Sequence, residues 1–293
     1  MGQPPLATPV PHSVGLNRPA RALPPLACDS HMHIFDTCFA PSPHWKRQPP
    51  DAPVAAYRRL QQRLGTRRAV VVTPSTYGTD NACTLDALDQ LGDDARGVAV
   101  VAHDVSDAEL DRLHARRVRG LRVNFVTPQS WGETTPGMLA TLARKVARQP
   151  GWHIQVFMHP EQIVALEGVL AALPVPLVVD HLGRIAPAEG PAAAAYGVLR
   201  GLLDGGNTWV KLSGAYMRST VHGPGYDDTL PLGRALVLAA PERLVWGSDW
   251  PHTTEAPGTV NDADLVDLLQ AWAGMDAAMD RILVDNPARL YGF

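Results

Sequence analysis

The fold is decided by stretches such as LACDSHMH at residues 26–33, in which a short apolar run ends in polar side chains. Further runs of this kind recur along the chain, several of them rich in valine. Glycine, proline or polar turns bound them, as expected for buried parallel strands. The runs are Leu26–His33, Ala69–Thr73, Gly97–Val101, Gly120–Phe125, His153–Met158, Pro176–His181, Thr208–Ser213 and Arg243–Asp249.

Segments with helical character separate the apolar runs, and one of them starts with a capping-box pattern, Ser106 followed by Glu109. Strands that alternate with helices in this way favour an α/β fold, a closed (β/α)8 TIM-type barrel, over an open doubly wound sheet. Neither GxGxxG nor GxxxxGKS/T occurs, so the usual nucleotide-binding motifs of open sheets are missing. The candidate helices are Leu85–Leu91, Ser106–Ala115, Pro136–Arg148, Glu161–Ala172, Ala192–Leu203, Tyr226–Ala239 and Asp262–Trp272.

The chain of 293 residues has a suitable length for one such barrel, because ~250 residues commonly form a single barrel domain. We predict a single barrel domain over residues 26–293, preceded by an N-terminal arm over residues 1–25. The arm is rich in proline and lacks the continuous apolar core of a signal peptide.

Composition and charge exclude several classes of partner. The formal net charge of −3 gives no electrostatic reason to expect nucleic acid or an anionic membrane. The three cysteines show no CxxC spacing, and no apolar run of ~18 residues occurs. We therefore predict reduced thiols in a cytoplasmic protein, with self-association into a homo-oligomer left open.

The first polar cluster contains His31 and His33, which point to the same side of a strand because they are two residues apart. At the carboxyl end of a barrel strand that side is the mouth, where active sites lie. Two imidazoles there can bind one metal ion or together polarise a carbonyl oxygen.

The second cluster ends the last apolar run with Asp249, which would face the same mouth beside the first strand. A carboxylate there can bind a metal ion and can take a proton from attacking water. Alternatively, Asp249 caps the next helix. The following Pro251 and the long gap before Asp262 argue against a cap. His252 lies in the same cluster, and we include it among the candidate substrate-binding residues.

Two further strand ends carry candidate ligands. His181 closes the sixth run and could bind the substrate or hold water, although Asp180 and His181 could instead satisfy only each other. Gln155, which we include among the candidate substrate-binding residues, and His159 share a strand face if the fifth strand extends that far. His159 is then either a third imidazole ligand of a metal ion or the start of a helix.

Arginines and hydroxyl groups complete the mouth. Arg122 lies inside an apolar run, where a cation is costly unless it is paired. Arginine binds planar carboxylates through two parallel hydrogen bonds, so several at one mouth indicate an anionic substrate. Each alone could be a structural ion pair, and the polar segment after the second strand could be an ordinary turn. The candidate substrate-binding residues of these groups are Arg122, Arg184, Arg218, Ser75, Tyr77 and Asn124.

The interval Phe35–Ala56 is long and follows the first strand on the face of the active site. Its aromatic and basic residues, including Trp45 and Arg47, could cover the substrate. The alternative is a surface excursion without a role in binding.

Together these motifs resemble the amidohydrolase superfamily, and within it the branch that contains 2-pyrone-4,6-dicarboxylate lactonase and lactonases of sugar acids and muconolactones. The matching motifs occur in the family's order from about residue 27 to the C-terminus. They are Asp29–Asp36, Asp180–Gly183, Lys211–Gly214, Trp246–His252 and Asp285–Tyr291.

The resemblance implies a distorted (β/α)8 barrel that hydrolyses lactones in aromatic or sugar-acid catabolism. It implies that Asp249 is the general base, and that His31, His33 and His181 polarise the lactone carbonyl. Arg122 and Arg218 would hold substrate carboxylates.

The resemblance leaves the cofactor open. The dicarboxylate lactonase works without a metal, whereas wider relatives hold one zinc-like divalent ion. The corresponding ligands here would be His31, His33, His159 and Asp249. No lysine ends the fourth strand, so a binuclear centre is not expected.

One departure concerns the substrate. The loop Val126–Trp131 lacks the additional basic residues of the dicarboxylate lactonases, so a related anionic lactone fits equally well. The alternatives within the superfamily are a lactone isomerase and a metal-dependent non-oxidative decarboxylase with His181 as the protonating residue. An inert ligand-binding barrel is a third alternative, but it would have no need for the general base Asp249.

Overall fold

The computed structural model describes residues 8–126, 134–221, 223 and 225–293. Within these ranges eight parallel strands form one sheet, in which each strand pairs with the next strand along the chain. Helices connect the strands, and the predicted (β/α)8 barrel is confirmed. The strands are β1 (Cys28–Met32), β2 (Arg68–Val72), β3 (Ala95–Ala99), β4 (Val118–Asn124), β5 (His153–Phe157), β6 (Leu177–Val179), β7 (Thr208–Leu212) and β8 (Leu244–Trp246).

Backbone hydrogen bonds close the seam between β8 and β1. The amide of Asp249 donates to the carbonyl oxygen of His31 at 2.7 Å, and the amide of His33 donates to that of Trp250 at 2.8 Å. Two residues before His31, the Asp29 carboxylate accepts hydrogen bonds from the amide and the hydroxyl of Ser248 at 2.9 and 2.6 Å. The two ends of the barrel wall therefore meet at the predicted catalytic residues.

The strands form where short apolar residues can be buried on both faces of the sheet. Every residue of β1, β5 and β7 is buried. On β4, Gly120 allows the ring of His153 to pack against the backbone, since a Cβ atom there would lie 2.5 Å from the ring. The barrel interior is thus tightly filled below the mouth.

The helices form an outer layer with their apolar faces on the barrel. In α1 the buried residues Val54, Tyr57, Leu60 and Leu64 recur every three or four positions, as an amphipathic helix requires. The helices are α1 (Val54–Leu64), α2 (Ala82–Leu91), α3 (Asp107–Ala115), α4 (Pro136–Val146), α5 (Pro160–Ala165), α6 (Glu167–Ala171), α7 (Ala194–Asp204), α8 (Leu230–Ala239), α9 (Asp262–Ala273), α10 (Asp276–Asp280) and α11 (Asn286–Tyr291).

Some local features differ from the predictions. The predicted helix Glu161–Ala172 is two helices, α5 and α6, separated at Leu166, where the backbone leaves the helical conformation. Half of the predicted capping box is present, because the amide of Glu109 donates to the hydroxyl of Ser106 at 3.1 Å. The Glu109 carboxylate instead pairs with Arg112 at 2.7 Å.

The described part of the N-terminal arm packs against the loop after β8. Nε1 of Trp250 donates to the carbonyl oxygen of Pro11 at 2.8 Å, and the amide of Val14 donates to that of Val260 at 2.9 Å. The division of the chain into an arm and a barrel stays a prediction, and residues 127–131 of the predicted departure lie outside the described residues. Of the described helices, none is long and apolar enough to cross a membrane; the cytoplasmic location stays a prediction.

Candidate active site

Four predicted side chains converge at the carboxyl ends of the strands. His31 lies on β1 and His33 directly after it, whereas His181 follows β6 and Asp249 follows β8. Oδ1 of Asp249 lies 3.5 Å from Nε2 of His31, 3.5 Å from Nε2 of His33 and 3.9 Å from Nε2 of His181. One carboxylate oxygen therefore faces three buried imidazoles.

Tight turns bring His181 and Asp249 into this position. Both residues adopt the left-handed backbone conformation, with φ of +54° and +60°. The chain therefore leaves the strand direction at the point where each side chain is needed. Oδ2 of Asp249 accepts a 2.6 Å hydrogen bond from the hydroxyl of Tyr216. Because Oδ2 is occupied, Oδ1 is the oxygen that remains for chemistry.

The electrostatic environment keeps Asp249 ionised. Burial favours its protonated form, but attraction to His181, His33 and His31 outweighs burial and holds the pKa of Asp249 below its usual range. Burial lowers the pKa of His181, whose Nδ1 lies 2.8 Å from the hydroxyl of Ser213. A carboxylate that stays ionised at neutral pH can accept a proton from water.

His31, His33 and Asp249 also form a donor set for one divalent ion. Their ligand atoms lie within 4.8 Å of one another, in one of two such groups among the described residues. Nδ1 of His33 donates to the carbonyl oxygen of Val72 at 2.7 Å, which leaves Nε2 of the ring on the side of Asp249. Nε2 of His31 is buried and has no hydrogen-bond partner within the described part of the chain. A cation between these atoms would satisfy all of them, so the residues fit a zinc-type ion.

His159 belongs to neither of these groups of described residues. It precedes α5 as the N-cap residue, with a partly exposed side chain. Burial and the nearby Arg184 lower the pKa of His159. The structure does not bring His159 together with His31 and His33, and its role as a metal ligand stays a prediction.

A buried layer of polar side chains lies beneath the histidines. Oδ2 of Asp180 accepts hydrogen bonds from Nε of Arg122 at 3.0 Å and from the side-chain Nε2 of Gln155 at 3.1 Å. Lys211 on β7 donates to Oε1 of Gln155 at 2.7 Å and to the carbonyl oxygen of Ser30 at 2.9 Å. Burial lowers the pKa of Lys211 to about 8.

The sequence predictions did not include Lys211 as a site residue. Its signal was a single lysine inside the buried run TWVKL at residues 208–212. A buried ammonium must find acceptors, so such a lysine indicates a polar network inside the barrel. The alternative in which Asp180 and His181 satisfy only each other does not hold, because Asp180 pairs with Arg122.

A narrow pocket with a volume of about 70 Å³ opens in front of Asp249. The guanidinium of Arg122 lies 5.0 Å from the centre of the Phe157 ring, and Nδ2 of Asn124 donates to the hydroxyl of Ser75 at 3.0 Å. The pocket is lined by Arg122, Asn124, Ser75, Phe157, His33, His181 and Asp249, and by Trp45 and Arg47 from the long interval after β1.

The other predicted substrate-binding residues lie outside this lining. Gln155 belongs to the buried layer, and the hydroxyl of Tyr77 accepts a hydrogen bond from the amide of Asp36 at 3.2 Å. The guanidinium of Arg184 lies against the outer part of the site, 4.9 Å from the centre of the Phe157 ring. The residues outside the lining are Tyr77, Gln155, Arg184, the exposed Arg218 and the buried His252, and their substrate contacts stay predictions.

Two curated relatives align with nearly the whole chain. It is 35% identical to the 4-sulfomuconolactone hydrolase of Rhizobium radiobacter, over 92% of this chain and 91% of the relative. It is 36% identical to the 2-pyrone-4,6-dicarboxylate hydrolase of Comamonas testosteroni, over 94% of this chain and 93% of the relative.

The fold is also similar to that of solved structures. A crystal structure from Agrobacterium tumefaciens, determined without ligand, superposes with a TM-score of 0.83 and 29% sequence identity. The superposition covers 94% of this chain and 98% of that one. Residues 28–293 match the family model described as amidohydrolase, a range that contains all eight strands and the converging His and Asp residues. The chain therefore belongs to the amidohydrolase family.

Proposed function

We propose that this protein is a hydrolase that opens a carboxylate-bearing lactone by attack of water on the ring carbonyl, with Asp249 as the general base. The observation that carries the proposal is the position of Oδ1 of Asp249, which faces three imidazoles in a pocket that Arg122 also lines. The names of the two curated relatives, both hydrolases of anionic lactones, support the same substrate class.

In the proposed reaction, water beside Asp249 transfers a proton to Oδ1 as its oxygen bonds to the ring carbonyl carbon. His181 can present an Nε2–H group to the carbonyl oxygen, because the hydroxyl of Ser213 can donate to its Nδ1. The bond between the carbonyl carbon and the ring oxygen then breaks. The ring oxygen leaves with the proton that Asp249 accepted, and the product is a hydroxy acid.

A divalent ion, when bound, would be held by His31, His33 and Asp249, and would supply Lewis acidity and lower the pKa of bound water to about 7. His159 is the further ligand that the sequence predicts. Elemental analysis together with a chelator test on an active lactone decides whether the reaction needs the ion. Loss of activity together with one equivalent of zinc would establish the requirement, whereas full activity without metal would exclude it.

The cationic groups of the pocket support an anionic substrate. Nε of Arg122 is bonded to Asp180, while its guanidinium also lines the pocket. Arg47 lines the same pocket, with its guanidinium 4.9 Å from the centre of the Trp45 ring. A carboxylate on the lactone would therefore meet positive charge on entry and inside the pocket, which would orient the ring carbonyl toward Asp249.

Incubation with a panel of lactone acids tests the proposal. We expect acid release that follows ring opening, measured at constant pH, together with the hydroxy acid as product. Release of carbon dioxide from a carboxylic acid would instead indicate a decarboxylase, and a rearranged lactone would indicate an isomerase. Tight binding without turnover across the whole panel would indicate an inert ligand-binding barrel.

A further inference from the structure

We infer that Tyr216, His252 and Asp262 form a hydrogen-bonded chain that orients the carboxylate of Asp249, so that Oδ1 alone acts as the base. The inference rests on the proposed function and adds three positioning residues to it. None of these three residues needs to touch the substrate for this role.

The chain of contacts is continuous and buried. The hydroxyl of Tyr216 donates to Oδ2 of Asp249 at 2.6 Å, and Nδ1 of His252 lies 3.0 Å from the same hydroxyl oxygen. Nε2 of His252 lies 3.1 Å from Oδ2 of Asp262. All four side chains are buried, so water does not compete strongly for these hydrogen bonds.

The donors and acceptors can be assigned from the groups themselves. A tyrosine hydroxyl has one proton, and a carboxylate can only accept. Tyr216 therefore gives its proton to Asp249, and its oxygen accepts a hydrogen bond from Nδ1–H of His252. Oδ2 of Asp262 accepts a hydrogen bond from Nε2–H of the same ring, which therefore carries a proton on both nitrogens, and this contact holds the imidazole in the plane that the donation to Tyr216 requires.

Asp262 is itself anchored from outside the site. It is the first residue of α9, and its amide donates to the hydroxyl of Ser13 at 3.2 Å. The side chain of Asn261 caps the same helix by accepting a hydrogen bond from the amide of Ala263 at 3.2 Å. The hydrogen-bonded series of positioning residues therefore extends from the fixed N-terminal end of α9 to the general base Asp249.

The consequence concerns which oxygen of Asp249 meets the water. A carboxylate that can rotate presents either oxygen, and a misplaced base lowers the rate steeply. With Oδ2 bonded to Tyr216, only Oδ1 faces the imidazoles of His31 and His33. The geometry thus assigns the two carboxylate oxygens different tasks.

The test begins with Tyr216→Phe, which removes only the hydroxyl. We expect kcat on a lactone that the unaltered protein hydrolyses to fall at least about tenfold, with KM changed by less than about twofold. The matched control is Tyr226→Phe, because the two rings are neighbours with centroids 6.3 Å apart. This control should keep kcat within about twofold. An unchanged kcat in Tyr216→Phe would overturn the inference.

Variants of His252 test the next link. His252→Ala should lower kcat, whereas His252→Asn should restore part of the loss, since its amide can still donate to Tyr216. Because both residues act through one chain, the double variant of Tyr216→Phe and His252→Ala should be no slower than the slower single variant. The inferred hydrogen-bonded chain would be contradicted if the losses in kcat multiply in the double variant. It would also be contradicted if His252→Ala and His252→Asn lose the same amount of kcat.

A structural measurement separates this inference from the proposed function. Crystal structures of Tyr216→Phe and Tyr226→Phe should show a rotated Asp249 carboxylate only in the former. If the unaltered protein hydrolyses no lactone, the proposed function fails, but the orientation of Asp249 in the two crystal structures still tests the positioning role of Tyr216. If Asp249 keeps its orientation in Tyr216→Phe, the positioning role fails whatever the substrate is.

Discussion

The ammonium of Lys211 lies 3.2 Å from Nδ1 of His31, and both side chains are fully buried inside the barrel. Oδ1 of Asp180 lies 3.3 Å from the same imidazole nitrogen, which therefore lies beside a cation and an anion. Lys211 also reaches Ser30 on β1 and Gln155 on β5. One side chain thus links three strands and supports a candidate catalytic imidazole.

We expect Lys211→Met to lower the free energy of unfolding by about 3 kcal/mol, because it leaves buried acceptors without a donor and removes one of the two cations beside Asp180, the other being Arg122. Urea denaturation followed by circular dichroism measures the change. The matched control is Lys46→Met, since Lys46 is exposed. A variant of Lys211 as stable as this control would show that the buried network contributes nothing to stability.

Asp249→Asn should lower kcat on an active lactone by about 10²- to 10⁴-fold, because an amide cannot accept the proton of the attacking water. Thermal unfolding should show that the fold is retained. Asp204→Asn, on the surface of α7, controls for the loss of one carboxylate. Full activity in Asp249→Asn would remove Asp249 from the role of general base.

Arg122→Lys should raise KM for lactone acids about tenfold, because lysine keeps the charge but not the planar pair of donors. A neutral lactone with the same ring is the matched control, and its KM should change much less. Steady-state kinetics on the two substrates gives the comparison. Equal changes in KM for the lactone acid and the neutral lactone would show that Arg122 acts through Asp180 and not on a substrate carboxylate.

Equilibrium dialysis with Zn²⁺ should detect at most one bound ion per chain, and His33→Asn should weaken its binding at least about tenfold. The geometry predicts that His159→Asn leaves the affinity nearly unchanged, because His159 is outside both candidate groups. Strong loss of binding in His159→Asn would instead support the ligand set predicted from the sequence. Two bound ions would contradict a mononuclear site.

His153 gives a prediction on acid stability. Its ring nitrogens have no hydrogen-bond partner among the described residues, and burial lowers its pKa to about 3. In the unfolded chain a histidine takes up its proton near pH 6.5, so the unfolded state binds more protons below that pH. The contribution of His153 to the free energy of unfolding is therefore complete above pH 6.5. It is lost as the pH falls toward 3, by about 1.4 kcal/mol per pH unit.

His153→Met removes this proton uptake while it nearly conserves volume. The free energy of unfolding of this variant, relative to that of the unaltered protein, should therefore rise by about 2 kcal/mol as the pH is lowered from 7 to 5. Urea denaturation at several pH values measures the difference, with the exposed His44→Met as control. Parallel pH profiles for all three proteins would show that His153 does not become protonated on unfolding.

The barrel could be predicted from the sequence because its buried strands are apolar runs separated by helical segments. The residues at which β6 and β8 end could not be predicted, because the predicted apolar runs continue to His181 and Asp249. The left-handed backbone at these two residues ends the strand pairing earlier, at Val179 and Trp246. Helix α1 is absent from the predictions, although the spacing of its buried residues was present in the sequence.

The converging residues at the mouth could be predicted because strand ends of a barrel meet on one face. What local sequence does not contain is the contact between distant segments. Tyr216 and His252 are 36 positions apart, and the position of Asp262 depends on the packing of the N-terminal arm through Ser13. Such contacts depend on the closed barrel, so spacing along the chain does not reveal them.

The seam between β1 and β8 has a consequence for how activity arises during synthesis. The amide of Asp249 is hydrogen-bonded to His31, so the base and the first imidazole are separated by most of the chain and meet only when the barrel closes. A nascent or truncated polypeptide that lacks the last strand has its histidines but no base beside them. Turnover would therefore report completion of the fold, and proteolytic removal of the C-terminal segment would abolish activity even where much of the structure survives.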